Sequence, residues 1–173
     1  MTHFTSPLWV VDPDNVGKTD PTSPAVMIGT SGVTSYNGGN PVFSGQITVS
    51  LTTAQILGMF AAPVAILPAP GAGRLILVTS FIYENILNTT AFQAGGAVTL
   101  NYTTSTTAAS AALSAANTAL QAASSVIAGA GIATALPTAA NANQGITIQN
   151  ATQAFTTGDG SAKITVVYTI LTL

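Results

Sequence analysis

The stretch that decides the fold is "FTTGDGSAKITVVYTILTL", Phe155–Leu173. Ile164, Val166, Tyr168 and Ile170 alternate with Thr165, Val167, Thr169 and Leu171, which is the period of a β-strand with one apolar face. The preceding Gly158-Asp159-Gly160 is a turn signal, and Asp159-Gly160 suits a type I′ hairpin. A closing strand of this quality is expected at the centre of a sheet or at an interface, where its backbone groups are paired and its end is pinned.

Working back along the chain, "GITIQN" (Gly145–Asn150), "AVTLNYT" (Ala97–Thr103) and "GQITVSL" (Gly45–Leu51) read as further strands. "RLILVTSFIYENIL" (Arg74–Leu87) is so continuously apolar that it reads as a strand buried on both faces. "PVAILPAP" is a brief strand closed by proline. Ser50 or Thr52 caps a short helix whose stripe is Ile56, Leu57 and Phe60. The Ala-rich stretch from 108 to 143 is ambiguous. Leu113, Leu120 and Ile127 are seven apart, yet the intervening Ser, Thr and Asn weaken a helix. Strands near Ser110–Ala115 and Ser125–Ala128 and a helical turn around Thr118–Ala122 are the expectation there. Short strands and glycine-rich turns without a strand–helix rhythm predict an all-β fold, a sandwich or barrel, with one or two short helices.

Residues 1–41 differ from the rest. They hold five of the nine prolines and four of the eight charged side chains, and they lack a sustained period. They are expected to form an extended N-terminal arm on a sandwich domain of residues 42–173. Trp9, the only tryptophan, stands beside Val10 and Val11, with Phe4 nearby. An apolar cluster in a polar arm is a candidate docking anchor.

Composition narrows the function. Charged residues are 5% of the 173-residue chain, against about 25% in ordinary soluble domains. The net charge of −2 offers no electrostatic basis for binding nucleic acid or an anionic membrane. Mean hydropathy is +0.51, but the most apolar window, Ala54–Pro70, holds three prolines, which a spanning helix would not tolerate. The first residues have neither a basic nor a long apolar region, so no signal peptide is expected, and the three N-x-S/T triplets at Asn88, Asn101 and Asn150 carry no glycosylation reading. Cysteine is absent, which removes disulfides and thiolate sites.

Chemistry has little to work with. His3 is the sole histidine. Asp12, Asp14 and Asp20 lack the glycine and glutamate spacing of a calcium loop. "APGAGR" (Ala69–Arg74) lacks phosphate-loop spacing and precedes a strand. Arg74 and Glu84 lie ten residues apart, about 33 Å along one strand, so each is expected to find a partner on another strand or subunit. No enzyme activity, cofactor or metal is expected. Neutral Ala/Thr-rich surfaces favour association, which suits a subunit covered by neighbours.

"ILGMFAAPVAILPAPGAGRLILV" (Ile56–Val78), "GGAVTLNYT" (Gly95–Thr103) and "NQGITIQNATQAFTTGDGSAKITVVYTIL" (Asn143–Leu171) are similar to the pattern of tailed-bacteriophage capsid decoration, or cement, proteins. The likeness spans Ile47–Leu173, with Arg74 in place of the usual lysine and Thr157 in place of a glycine. The resemblance implies a jelly-roll-like β-sandwich, a homotrimer, and a structural role on the virion surface after assembly in the host cytoplasm. Its partner would be the major capsid protein, with neighbouring subunits bridged from outside and the arm laid across them. The competing readings are a tail spike or fibre module for host recognition, a hydrolase, and a secreted carbohydrate-binding sandwich. The first is weakened by aromatics at 6%, the second by the missing acid–base pair, the third by the missing signal.

Overall fold

The computed structural model of the chain describes residues 8–9, 26–29, 32–37, 40–104, 107–114, 118–120, 122–132 and 138–173. Its elements are β1 (Leu8–Trp9), β2 (Val26–Gly29), β3 (Gly32–Asn37), β4 (Asn40–Leu51), α1 (Thr53–Gly58), β5 (Val64–Leu67), β6 (Arg74–Ile86), β7 (Gln93–Ala94), β8 (Val98–Tyr102), β9 (Ser125–Ala130), α2 (Thr138–Asn141), β10 (Ile146–Asn150), β11 (Phe155–Thr156) and β12 (Ser161–Thr172). They form an all-β sandwich with two short helices. The large sheet runs β1-β2-β3-β4-β12-β6-β9, the smaller β5-β10-β8, and β11-β7 makes a two-stranded ribbon.

The pairing follows one rule. β4 pairs with β12, β5 with β10, β6 with β9, and β8 with the segment 107–113, all antiparallel. The first half of the chain, taken forward, meets the second half taken backward. That is a long antiparallel ribbon rolled on itself, the double Greek key of a jelly roll. Two contacts close the roll: β12 with β6 and β10 with β8. Segment 107–113 makes only bridges, Val98 with Leu113 and Asn101 with Ala108, so the strand expected at Ser110–Ala115 does not form. The reason is a bend. Ser110 turns away to bridge Gly131 on the large sheet, and its hydroxyl accepts the Leu100 amide at 3.1 Å.

The core lies between the sheets. Leu51, Phe81, Tyr83, Ile164 and Val166 come from the large sheet; Ile66, Leu100, Tyr102, Ile146 and Ile148 come from the small one. Tyr102 ties the layers, its hydroxyl donating to the Ile76 carbonyl at 2.6 Å, and burial pushes its ionisation up to about 12. Burial also raises that of Tyr83, at the core's centre. α1 starts where the capping signal stood: Thr52 accepts the Gln55 amide, and the Gln55 side chain accepts the Thr52 amide at 2.9 Å.

β6 corrects one expectation. It is not buried on both faces, since Thr79 and Ile82 are exposed. Opposite Val167 and Tyr168 its register slips, leaving Thr79 as the extra residue of a bulge. Ile76 and Val78 face inward before the slip, Phe81, Tyr83 and Asn85 after it. Two phases of alternation in one strand look like an unbroken apolar run. The bulge is tied on both sides: the Thr79 hydroxyl donates to the Val167 carbonyl at 3.0 Å, and its carbonyl accepts the Gly131 amide at 2.9 Å.

Before β4 the described residues continue the sheet. β3 pairs with β4 from Val33–Ser44 to Asn37–Asn40, β2 pairs with β3, and Leu8 and Trp9 of β1 pair with Ile28 and Met27. The 41/42 boundary drawn from the sequence falls inside β4.

Gly131 sits where the sheet and the bend meet, and a Cβ there would lie 2.0 Å from the Val78 carbonyl oxygen, a backbone atom that cannot step aside. We expect Gly131→Ala to cost about 1–3 kcal/mol of folding stability, measured by urea unfolding. An unchanged midpoint would mean that this corner does not hold the bulge.

Candidate interaction surface

Register places the side chains of the outer face of the large sheet in rows across β4, β12, β6 and β9. One row is Ser50, Lys163, Glu84 and Val126; the next is Thr48, Thr165, Ile82 and Ala128; the third is Gln46, Val167, Ser80 and Ala130. Lys163 and Glu84 pair across strands at 3.8 Å, so the only two charges on these rows cancel. Glu84 thus finds the cross-strand partner expected of it. The hydroxyls pair as well, Thr48 with Thr165 at 2.8 Å and Ser44 with Thr169 at 3.2 Å. Ile82 and Val126 stand out from this face at 42% and 67% exposure. Two hydroxyl pairs and one ion pair are therefore satisfied within the face, while the side chains of Ser50, Gln46 and Ser80 make no hydrogen bond among the described residues. A pair of hydroxyls that bond each other leaves one O–H donor to be met instead of two, which lowers the usual cost of burying a polar surface.

At one end of the sandwich, Asp159 organises a corner. Its carboxylate accepts the Thr89 amide at 3.0 Å, the Thr90 amide at 2.8 Å, the Asn88 side-chain amide at 3.1 Å and the Thr89 hydroxyl. These bonds, led by the Thr89 hydroxyl, hold its ionisation down at about 2. The Asp159 amide in turn donates to the Thr90 carbonyl at 3.2 Å. This corrects the hairpin expectation. The positive φ angles fall at Thr157 (47°) and Gly158 (89°), not at Asp159 and Gly160, so no type I′ turn forms there. β11 pairs with β7 instead of folding back on β12. Phe92 and Phe155 fill the corner, ring centroids 6.1 Å apart. A carboxylate serving as a loop clamp was not legible from the Asp-Gly step, because its donors lie about seventy residues away.

The other sequence candidates are scattered. Trp9 enters β1 by its backbone pairing with Met27; Phe4, Val10 and Val11 lie outside the described residues, as do His3, Asp12, Asp14, Lys18 and Asp20. "APGAGR" forms the turn between β5 and β6, where the Gly71 amide donates to the Asn143 side chain at 3.0 Å. Among the described residues no cluster of three or more His, Cys, Asp or Glu could hold a metal ion, and no helix is long and apolar enough to cross a membrane.

Among solved structures, the chain is similar to one in the cyanophage Pam1 capsid asymmetric unit, at 18% identity and a TM-score of 0.40, over 75% of this chain and 85% of that one. No protein-family model and no curated protein matches the sequence.

The Asp159 clamp has a definite pH signature. Its folded ionisation lies below the unfolded carboxylate value of about 4, so its stabilisation is complete above that value and is lost as pH falls through about 2. Asp159→Asn should lower the melting temperature at pH 7, and the gap to wild type should shrink towards pH 2. A gap independent of pH would show that charge has no part in the clamp.

Proposed function

We propose that this chain is a structural virion protein that binds the outside of a phage capsid and stabilises the shell by bridging neighbouring major capsid subunits, acting as a homotrimer. The observation that carries the reading is the outer face of the large sheet: broad, small-side-chained, partly hydrogen-bonded within itself, and neutral through a single ion pair. Such a face gains from burial of its apolar members, and its paired groups cost less to desolvate than free ones. It serves poorly as the surface of a free enzyme and well as a covered one.

The resemblance to decoration proteins agrees with the fold. The quoted turns fall where a jelly roll needs them: Pro70–Gly73 between β5 and β6, Gly95–Gly96 before β8, and Gly158–Gly160 before β12. In this reading no residue acts on a substrate. A bridging trimer opposes internal pressure by adding contact area across capsomer boundaries, with about 1,600 Å² as the usual scale for a specific contact. The segment before β4, with Trp9, supplies the second point of attachment.

The deciding experiment counts copies of the chain in separately purified heads and tails of its source particle by quantitative mass spectrometry. Many copies confined to heads fit shell decoration; a few copies confined to tails overturn it in favour of host recognition. On heads stripped of the protein, a truncation starting at Asn40 should rebind at least roughly tenfold more weakly than the full chain. It should remain folded, because β4 keeps nine residue pairs with β12. Trp9→Ala should weaken rebinding while leaving the melting temperature of the free protein unchanged. Undiminished rebinding by the truncation removes the arm from the attachment.

A further inference from the structure

The large sheet ends in an open edge at β9. On one side β9 makes six residue pairs with β6. The Gly131 amide donates to Thr79 on that side, while the Ala130 carbonyl accepts the Ala111 amide from the other side at 3.0 Å. Antiparallel alternation then turns the backbone groups of Ser125, Ile127 and Gly129 towards β6 and those of Val126, Ala128 and Ala130 away from it. Ala111 occupies the Ala130 carbonyl. The N–H and C=O of Val126 and of Ala128 have no backbone partner among the described residues.

Other sheet edges carry protection that β9 lacks. At the far end of the large sheet, β1 has only two residues. β5, on the small sheet, is four residues long between Pro63 and Pro68. β9 is six residues, Ser-Val-Ile-Ala-Gly-Ala, with no charge and no proline. Short strands, prolines and charges are the devices by which edges refuse a further strand.

We propose that the β9 edge pairs with the β9 edge of a second copy of this chain, antiparallel about a twofold axis at Ile127. In that register Val126 faces Ala128 of the second copy, and Ala128 faces its Val126. Each pair exchanges two N–H···O bonds, and the four bonds use all four free groups on each chain. On the outer face a larger side chain meets a smaller one twice. On the inner face Ile127 meets its own copy. No charge lies on the strand to repel its twin. The contact is isologous and closes on itself, joining two large sheets into one and linking two copies whatever their other associations. It is independent of shell binding, and either can hold without the other.

The test uses the full chain. Sedimentation from about 1 μM to about 1 mM, the span expected for so small a contact, should show one mass-doubling step. Hydrogen exchange at the Val126 and Ala128 amides should slow as that step fills. Ala128→Pro removes an N–H that the fold does not use, and Val126→Lys adds a charge to the outer face beside the edge. Each should weaken the step at least roughly tenfold. A melt of each variant checks folding, and if Ala128→Pro unfolds, Val126→Lys carries the test. A wild-type mass that never doubles, or doubling that both variants retain, overturns the pairing.

Discussion

Insertion of β12 between β4 and β6 is the constraint on which the rest of the molecule depends. β12 pairs with nine residues of β4 and twelve of β6. Without it, β1 to β4 and the β6–β9 pair would be separate ribbons with nothing between them. Its inward residues, Ala162, Ile164 and Val166, lie on the core, and its outward residues, Lys163, Thr165 and Val167, form the middle of the proposed docking face. Fold and surface therefore depend on one strand. The Asp159 clamp fixes where that strand begins, and the Thr79 bulge fixes how its far half is phased against β6.

The low charge of the sequence has a local expression in the structure. A surface poor in ionic groups usually stays soluble by exposing unpaired polar atoms to water. Here Ser44 and Thr48 of β4 bond to Thr169 and Thr165 of β12, and the two charges pair across β12 and β6. Part of the polarity of this face is thus satisfied within the sheet itself. That property connects the composition to the proposed role more directly than any motif does.

Much of the sandwich was legible in the sequence. The strands at Gly45–Leu51, Ala97–Thr103, Gly145–Asn150 and the closing stretch show clean period-two patterns, and Thr52 carries a complete capping box. The misreadings have physical causes. A bulge at Thr79 overlays two phases of alternation, so half-buried reads as fully buried. Segment 107–113 divides its bonds between two sheets, which an alanine-rich sequence cannot signal. Asp159 obeys partners from a distant loop, and local turn chemistry yields to four hydrogen bonds. β3 had a usable signal in Asn37-Gly38-Gly39, a hairpin step leading into β4. The proline-rich residues before it obscured that signal. The outer face could not be read at all, because rows across a sheet exist only once register is known.

The rolled ribbon also sets a timetable. In its pairing rule, the earliest strand of the roll waits for the latest, and β4 lies more than a hundred residues from its partner. During synthesis at the ribosome, β4 and β6 emerge with no common neighbour and stay so until residues 161–172 arrive. The earlier pairings, β3 with β4 and β6 with β9, leave open the edges that β12 fills, so closure is a late, non-local and slow event. The chain that waits has few charges to keep it from its siblings. Yield in the cell is therefore governed by the interval before closure as much as by the stability of the finished sandwich, and substitutions that speed β12's capture will raise yield even where they leave the melting temperature unmoved.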